Sequence, residues 1–388
     1  MFADRVNHLE AEGAYAVLAR AQELEREGRE ILHLELGQPD FPTPENIKEK
    51  GIQAIRENRT KYTSPSGIHR FRELIAEAAG AQRGIKITPD MVVVGPGSKP
   101  GLFFPTMTLV QPGDEVIYPD PGFPTYSAMI GVAGGIGVPI PLSEENQFSF
   151  DLDIFDRKIS DKTKLIVLNS PANPTGGVIP FDDLKHIAEQ AHKHGAWVLA
   201  DEIYSRLVYD GMDTAPSIAS IGGMLERTVI ADGFSKTFAM PGWRLGYAIA
   251  PQKLAERLGL LVTHSVGSTA EFTQYAGMEG ITGPQDFVAE MVAEYQRRRD
   301  RMVELVNAIP DVHAQTPQGA FYVFPNIKSF GISSKEIQRR LLDEAGVAVL
   351  AGTDFGVGGS GYIRLAYATS MEVIERAMEK IDRFFRSL

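Results

Sequence analysis

The chain has 388 residues, 43% hydrophobic and 23% charged, with 39 basic against 50 acidic side chains for a net charge of -11 at pH 7. That length exceeds what one hydrophobic core usually serves, so two domains are expected. The acidic balance argues against nucleic acid or an anionic membrane as partner, because either needs a basic face to displace counterions. The lack of any cysteine excludes disulfides, thiolate metal sites and thiol nucleophiles together.

The N-terminus, MFADRVNHLEAEGAYA, has neither the basic start nor the apolar core of a secretory leader. The longest weakly polar run, AMIGVAGGIGVPIPL, is broken by glycine and falls short of the roughly 20 residues that a spanning helix needs. The expectation is a cytoplasmic protein acting on small molecules, with no metal site.

In chain order, MVVVGPGSKPGLFF and DEVIYPDPGFPTY each read as an apolar strand ending in glycine and proline. KLIVLN (164–169) is a continuous apolar run of the kind buried on both faces of a parallel sheet. In DLKHIAEQAHKH, Leu184, Ile187, Ala188 and Ala191 fall on one helical face. AWVLADE (196–202) and TVIADG (228–233) follow as two more strands, which makes a βαβ unit. Further on, 287–309 is a long helix with Val288, Val292, Tyr295, Met302 and Val306 on one side. GAFYVF and GYIRLAY are short strands, and the last helix carries Ile374, Met378, Ile381 and Phe385 on one stripe. The fold expected is α/β, a mainly parallel sheet in a large domain (46–284) with a smaller α+β domain formed by 1–45 and 285–388.

In a parallel sheet, ligands gather beyond the carboxyl ends of the strands. Those positions hold Gly95–Ser98, Asn169–Thr175, Asp201–Tyr204, and Ser235 with Lys236. GPGSKPG lacks the Gly-Lys-Ser/Thr order of a nucleotide P-loop, yet a Gly/Ser turn leading into a helix suits an anion. Each residue alone reads as ordinary structure: a loop lysine, a capping aspartate, a packing tyrosine. Together, a strand-end lysine for a Schiff base, an acid for a ring nitrogen, and arginine with a Gly/Ser loop for a phosphate meet the requirements of pyridoxal phosphate. Arg364, set among Ile, Leu, Ala and Tyr, needs an anionic partner.

At this point the sequence resembles the fold-type I, class I/II aminotransferases over nearly its whole length. GFSKTFAMPGWRLG is similar to the pyridoxal-attachment segment, NSPANPTGG to the Asn-Pro-Thr-Gly loop, and DEIYSRLVY to the Asp-x-x-Tyr segment. YTSPSGIHRFR and YIRLAYA match in the expected order. The resemblance implies that Lys236 bears the cofactor as a Schiff base and then moves the substrate's α-proton, while Asp201 keeps the pyridine nitrogen protonated. It implies that Asn173 and Tyr204 bind the phenolic oxygen, and that Phe123 stacks on the ring. Gly97, Ser98, Lys99, Ser235 and Arg244 would hold the phosphate, although Lys99-Pro100-Gly101 departs from the usual small residues there. Gly37, Asn173 and Arg364 would hold the substrate, Arg364 gripping its α-carboxylate. Tyr62 would reach the neighbouring subunit's phosphate, which implies a homodimer.

The implied activity is ping-pong transfer of an amino group from an L-amino acid, aspartate, aromatic or related, to a 2-oxo acid. A β-lyase of the same fold is the nearest alternative. A non-enzymatic sensor, like the aminotransferase-like domain of some transcription regulators, would need a DNA-binding domain upstream, and Gly37 comes too early to leave room for one. For a distal substrate carboxylate, His33, Arg20 and His264 are conceivable cations, but each reads more readily as structural or exposed, so substrate choice stays open.

Overall fold

A computed structural model describes residues 3–7, 9 and 11–388. Among these residues twelve strands follow one another: β1 (Leu32–His33), β2 (Val92–Gly95), β3 (Glu115–Asp120), β4 (Ile136–Pro141), β5 (Thr163–Asn169), β6 (Trp197–Asp201), β7 (Thr228–Gly233), β8 (Gly246–Ile249), β9 (Tyr322–Val323), β10 (Val347–Ala348), β11 (Leu350–Ala351) and β12 (Ile363–Ala366). Seven form one sheet in the order β2-β8-β7-β6-β5-β3-β4. Within it β4, β3, β5, β6 and β7 are parallel, and β8 runs antiparallel to both of its neighbours. This is the mainly parallel α/β sheet that the apolar runs predict.

The strands are apolar because helices cover both faces. β7 is buried at all six residues and β5 at six of seven. On one face, Val116, Val167, Leu199 and Ala231 pack with Leu102, Tyr126 and Ile130, from the helices Lys99–Leu109 and Thr125–Ala133. On part of the other, Val94, Ile230 and Ile249 pack against Phe71, Ile75 and Ala79 of the helix His69–Arg83. The helix Phe181–His194 buries Leu184, Ile187, Ala188 and Ala191, as their spacing predicts, and stops at Gly195, whose φ of 67° is left-handed.

The remaining strands are short. β11, β12 and β9 form an antiparallel sheet in that order, and β1 pairs in parallel with β10. The helix Met371–Arg386 turns Ile374, Ala377, Met378, Ile381, Phe384 and Phe385 inward, and Ser370 caps it by accepting the Val373 N–H. Full burial of such side chains is worth roughly 1.5–3 kcal/mol each. The helix Asp286–Asn307 buries Val288, Tyr295, Met302 and Val306 as predicted. It also buries Arg298 and Arg299, which pair with Asp40 and Glu294 and with Asp210 and Asp300. The sequence pattern alone hid those two, because Asp40 and Asp210 lie far along the chain.

Candidate active site

The pairing register lines up the polar strand ends. Asn169 of β5 stands opposite Asp201 of β6, and Asp201 opposite Ala231 of β7. Asn169 donates its side-chain amide to the Asp201 carbonyl at 3.1 Å and accepts the Asn173 N–H at 2.9 Å. It thereby ties the NSPANPTGG loop to the end of β6.

Asp201 is 4% exposed. Its Oδ2 accepts the Tyr126 hydroxyl at 2.7 Å, and its Oδ1 accepts the Ile203 N–H at 3.4 Å. Burial raises its pKa to about 6, Tyr126 and the Ile203 N–H work against that rise, and neighbouring Asp232 and Glu202 add to it. Around neutrality the carboxylate is ionised but close to protonation. Tyr126 stands edge-on to Phe123 with ring centroids 5.8 Å apart. The sequence reading missed Tyr126, although its place three residues after Phe123 was a signal.

Lys236 follows β7 by three residues. Its Nζ donates to the Gly37 carbonyl and lies 5.6 Å from the ring centre of Tyr204 and 5.5 Å from that of Phe321. Burial, and then the positive charges of Arg364 and Arg244, push its pKa down to about 7, with Asp201 pulling the other way. The amine is therefore substantially neutral at physiological pH, which a nucleophile or proton carrier needs.

Arg364, on β12, is 3% exposed and spreads between the two parts of the site. Its Nη1 donates to Asn173 Oδ1 at 3.0 Å and its Nη2 to the Glu35 carbonyl, while its Nε has no partner. The guanidinium lies 4.3 Å from the ring centre of Tyr322 and 4.9 Å from that of Phe355. Burial lowers its pKa, offset by the two tyrosines and Glu35. An unpaired buried donor beside a neutralisable lysine calls for an anion. Tyr204 and Tyr322 join hydroxyls at 2.7 Å. A side chain at Gly37 would strike the Tyr322 hydroxyl, so a larger residue there would have to push that ring away from Tyr204. Tyr322 was another residue the sequence reading did not single out.

At the end of β2, Gly97 has φ 90°, and a Cβ there would lie 2.2 Å from Arg244 Nη2. Arg244 itself has φ 53°, held by hydrogen bonds to the carbonyls of Pro241 at 2.9 Å and Pro96 at 3.3 Å. Ser98 precedes the helix Lys99–Leu109, so the positive end of that helix lies at the same loop; of the first-turn amides Pro100 has no N–H and the Gly101 N–H bonds the Ser98 carbonyl at 2.8 Å. Ser235 is buried one residue before Lys236. The Lys99 ammonium instead pairs with Glu12 and lies 5.4 Å from the Phe123 ring centre.

Arg244, Gly97 and Ser98 meet at one loop; Lys236 contacts Gly37 and Tyr204, Arg364 contacts Asn173, and Tyr322 joins the two groups by meeting both Tyr204 and Arg364. Tyr62, at 97% exposure, is left to solvent in the single chain. His33 gives its two ring nitrogens to Glu35 and Glu25, and Arg20 pairs with Glu23 and Asp343. His264 sits in the last turn of the helix Gln252–Ser265. A buried carboxylate, a neutralisable amine, an anion-ready loop and an unpaired guanidinium donor fit the ring nitrogen, aldehyde and phosphate of pyridoxal phosphate and the carboxylate of an amino acid. Among the described residues no cluster of metal-ligating side chains occurs, and no helix is long and apolar enough to cross a membrane.

The sequence model for "Aminotransferase class I and II" matches residues 29–381. The putative aminotransferase YugH of Bacillus subtilis is 40% identical over 355 residues, 91% of either chain. Aromatic-amino-acid aminotransferase 2 of Thermococcus litoralis is 38% identical over 361 residues, 92% of either chain. Among solved structures, aspartate aminotransferase from Thermus thermophilus with maleate superposes with a TM-score of 0.94 at 36% identity, covering 99% of both chains.

Proposed function

This chain belongs to the class I and II aminotransferases, pyridoxal-phosphate-dependent enzymes that move an amino group from an amino acid to a 2-oxo acid, and we propose that Lys236, Asp201 and Arg364 are the groups that carry the reaction. Its named relatives favour amino transfer over β-elimination. The observation that carries the residue assignment is the buried Lys236 amine, held by the Gly37 carbonyl within reach of the charges of Arg364, Arg244 and Asp201; burial first and then the two arginines bring its pKa to about 7 against the pull of Asp201.

When bound, the cofactor supplies an aldehyde carbon for an amine and a protonated ring that takes up the electron pair left at the substrate's α-carbon. Lys236 provides the amine that holds the cofactor covalently. Once displaced by the substrate's amino group, the same Nζ takes the proton from Cα and returns it, a step favoured by a pKa near ambient pH. Asp201, positioned by Tyr126, would hold the ring nitrogen and keep a proton there. Asn173 and Tyr204 would donate to the phenolic oxygen, and Phe123 would supply an aromatic face for the ring.

Gly97, Ser98, Ser235 and Arg244 hold the phosphate, with the Lys99 backbone in the same first helical turn. Arg364 grips the substrate's α-carboxylate in a two-pronged contact, next to Asn173 and the backbone at Gly37. Fixing that carboxylate orients the Cα–H bond toward Lys236. A second 2-oxo acid then takes the amino group by the reverse steps, which gives ping-pong kinetics.

Aspartate and aromatic amino acids are the proposed donors. The support is the names of the relatives, aspartate and aromatic-amino-acid aminotransferases, and the aromatic lining by Phe321, Tyr322, Phe355 and Phe123. We assign residues 46–284 to a large domain and 1–45 with 285–388 to a small one, supported by the separate sheets. A cytoplasmic homodimer is the proposed working form, with Tyr62 crossing to the partner's phosphate site; its exposed ring in the single chain supports this. The test is to mix the cofactor-loaded protein with single amino acids and follow the visible absorbance. Loss of the lysine-linked band with aspartate or an aromatic donor, and its return on adding a 2-oxo acid, is expected. Continuous release of pyruvate or ammonia without any 2-oxo acid would refute the transfer.

A further inference from the structure

The strand ends that carry Asp201 and Lys236 have a second side. Residues alternate across a strand, so Asp201 and Ala231 face the helices Lys99–Leu109 and Thr125–Ala133, and the next residue on each strand faces the opposite way. Those next residues are Glu202 and Asp232. The Glu202 N–H continues the ladder to the Ala231 carbonyl at 2.9 Å, which sets the two carboxylates side by side on one face. Both are buried.

Two like charges directly opposed in a sheet repel, and the cost grows with burial. A single side chain answers it. Arg83, the last residue of the helix His69–Arg83, is also buried. Its Nε reaches Glu202 Oε2 at 2.8 Å, and its Nη2 reaches Glu202 Oε2 at 2.6 Å and Asp232 Oδ2 at 3.3 Å. Its Nη1 donates to the Ala79 carbonyl at 3.2 Å, fixing the guanidinium to its own helix. Remaining lone pairs are filled: Ser217 donates to Glu202 Oε1, Tyr247 to Asp232 Oδ2 at 3.1 Å, and the Gly233 N–H to Asp232 Oδ1 at 2.7 Å. Arg206, nearby, gives its Nη1 to Gln285.

We propose that Arg83 is a positioning residue, clamping the ends of β6 and β7 through Glu202 and Asp232 and so holding Asp201 and Lys236 in catalytic alignment from the far side of the sheet. This rests on the roles given above to Asp201 and Lys236. Glu202 adjoins Asp201 in sequence, and Asp232 precedes Lys236 by four residues, so any splaying of the carboxylate pair moves both. The triad is also within electrostatic reach of the site, since Asp232 and Glu202 both raise the Asp201 pKa. Without Arg83 two carboxylates would act on Asp201 uncompensated.

The test is Arg83→Met in the cofactor-replete protein. The kcat for amino transfer should fall roughly tenfold or more, while KM for the amino donor stays within about threefold, because alignment is lost and the substrate grip is not. The pH midpoint of the lysine-linked visible band should rise by roughly half a unit, because losing the cation that offsets Glu202 and Asp232 leaves more negative charge behind Asp201 and Lys236. Adding Asp232→Asn should move the midpoint back and recover part of kcat, and Arg83→Lys should fall between, since an ammonium cannot fork across both carboxylates. In the cofactor-free protein, Arg83→Met should lower thermal stability more at pH 8 than at pH 5, where Asp232 can protonate.

An unchanged kcat and midpoint in a folded Arg83→Met protein would overturn the proposal. So would a kcat loss with no midpoint shift and no recovery on adding Asp232→Asn, the pattern of a plain structural defect. If Arg83→Met does not fold, Arg83→Lys decides: an unmoved midpoint with unchanged kcat is the overturning result. The catalytic reading fails separately, through a borohydride-fixed cofactor that survives Lys236→Ala, and the cofactor-free stability comparison does not depend on it.

Discussion

The two faces of the β6 and β7 ends solve burial of charge in opposite ways. On one, Arg83, Glu202 and Asp232 pair at 2.6–3.3 Å and every carboxylate oxygen has a donor. On the other, Asp201 shares only Tyr126 and one backbone N–H, Lys236 has a single carbonyl, and Arg364 keeps a buried Nε without a partner. The paired face has satisfied its electrostatics within the chain. The unpaired face leaves donors open for ligands. Burial raises the pKa of Asp201 there to about 6 and that of Asp232 on the paired face equally to about 6, so the faces differ in partners and in the lysine, lowered to about 7, rather than in the carboxylate shift.

That contrast can be broken most severely at Lys236. Lys236→Ala should reduce turnover by roughly 10³-fold or more and abolish the borohydride-fixed mass increment, measured by half-reaction kinetics and peptide mass analysis. Asp201→Asn comes next, with kcat lowered on the order of 10²-fold while cofactor remains bound; a parallel loss of binding would place Asp201 in the phosphate grip instead.

Arg364→Ala should remove about 2–3 kcal/mol of carboxylate recognition, seen as a kcat/KM for amino acids lowered roughly 30- to 150-fold with cofactor uptake intact. Unchanged amino-acid kinetics would reassign that arginine.

The pH dependence of stability sharpens the comparison further. Lys236 has a folded pKa of about 7, below the usual value of 10.5, so the unfolded chain binds the extra proton between those values. In the cofactor-free protein this group's penalty is full below pH 7 and fades as pH rises toward 10.5. Lys236→Met should therefore stabilise cofactor-free protein by on the order of 2–4 kcal/mol at pH 7 and by little near pH 10. His33 gives the opposite slope and the smallest effect. Its bond to Glu35 raises its pKa to about 9, so its contribution is full below 6.5 and lost as pH rises through 9. His33→Gln should steepen the rise in stability with pH over that interval, read from thermal melts.

Much of the site could be read from order along the chain, because a parallel sheet puts successive strand ends in one place. Asn173, Asp201, Tyr204 and Lys236 were legible as residues just past apolar runs, and the amphipathic spacing of 181–194 and 371–386 fixed which faces those helices bury. Tyr126 and Tyr322 were not legible, since a tyrosine among apolar neighbours looks like packing until its hydroxyl is seen to meet Asp201 or Tyr204. Arg83 was hidden for a related reason: its partners lie 119 and 149 residues further on. β8 was hidden too, because the segment before it reads as a cofactor loop and only its pairing between β2 and β7 shows that it reverses direction.

By itself the sequence indicated the class of fold, through periodicity and glycine placement, and the cofactor, through short contiguous motifs that resemble those of the class I and II aminotransferases. Only the tertiary structure decided the electrostatics: which carboxylates are paired, which arginine donor is left open, and how far the lysine's proton is loosened. Those depend on burial and on distances between residues far apart in the chain, and no local pattern carries either.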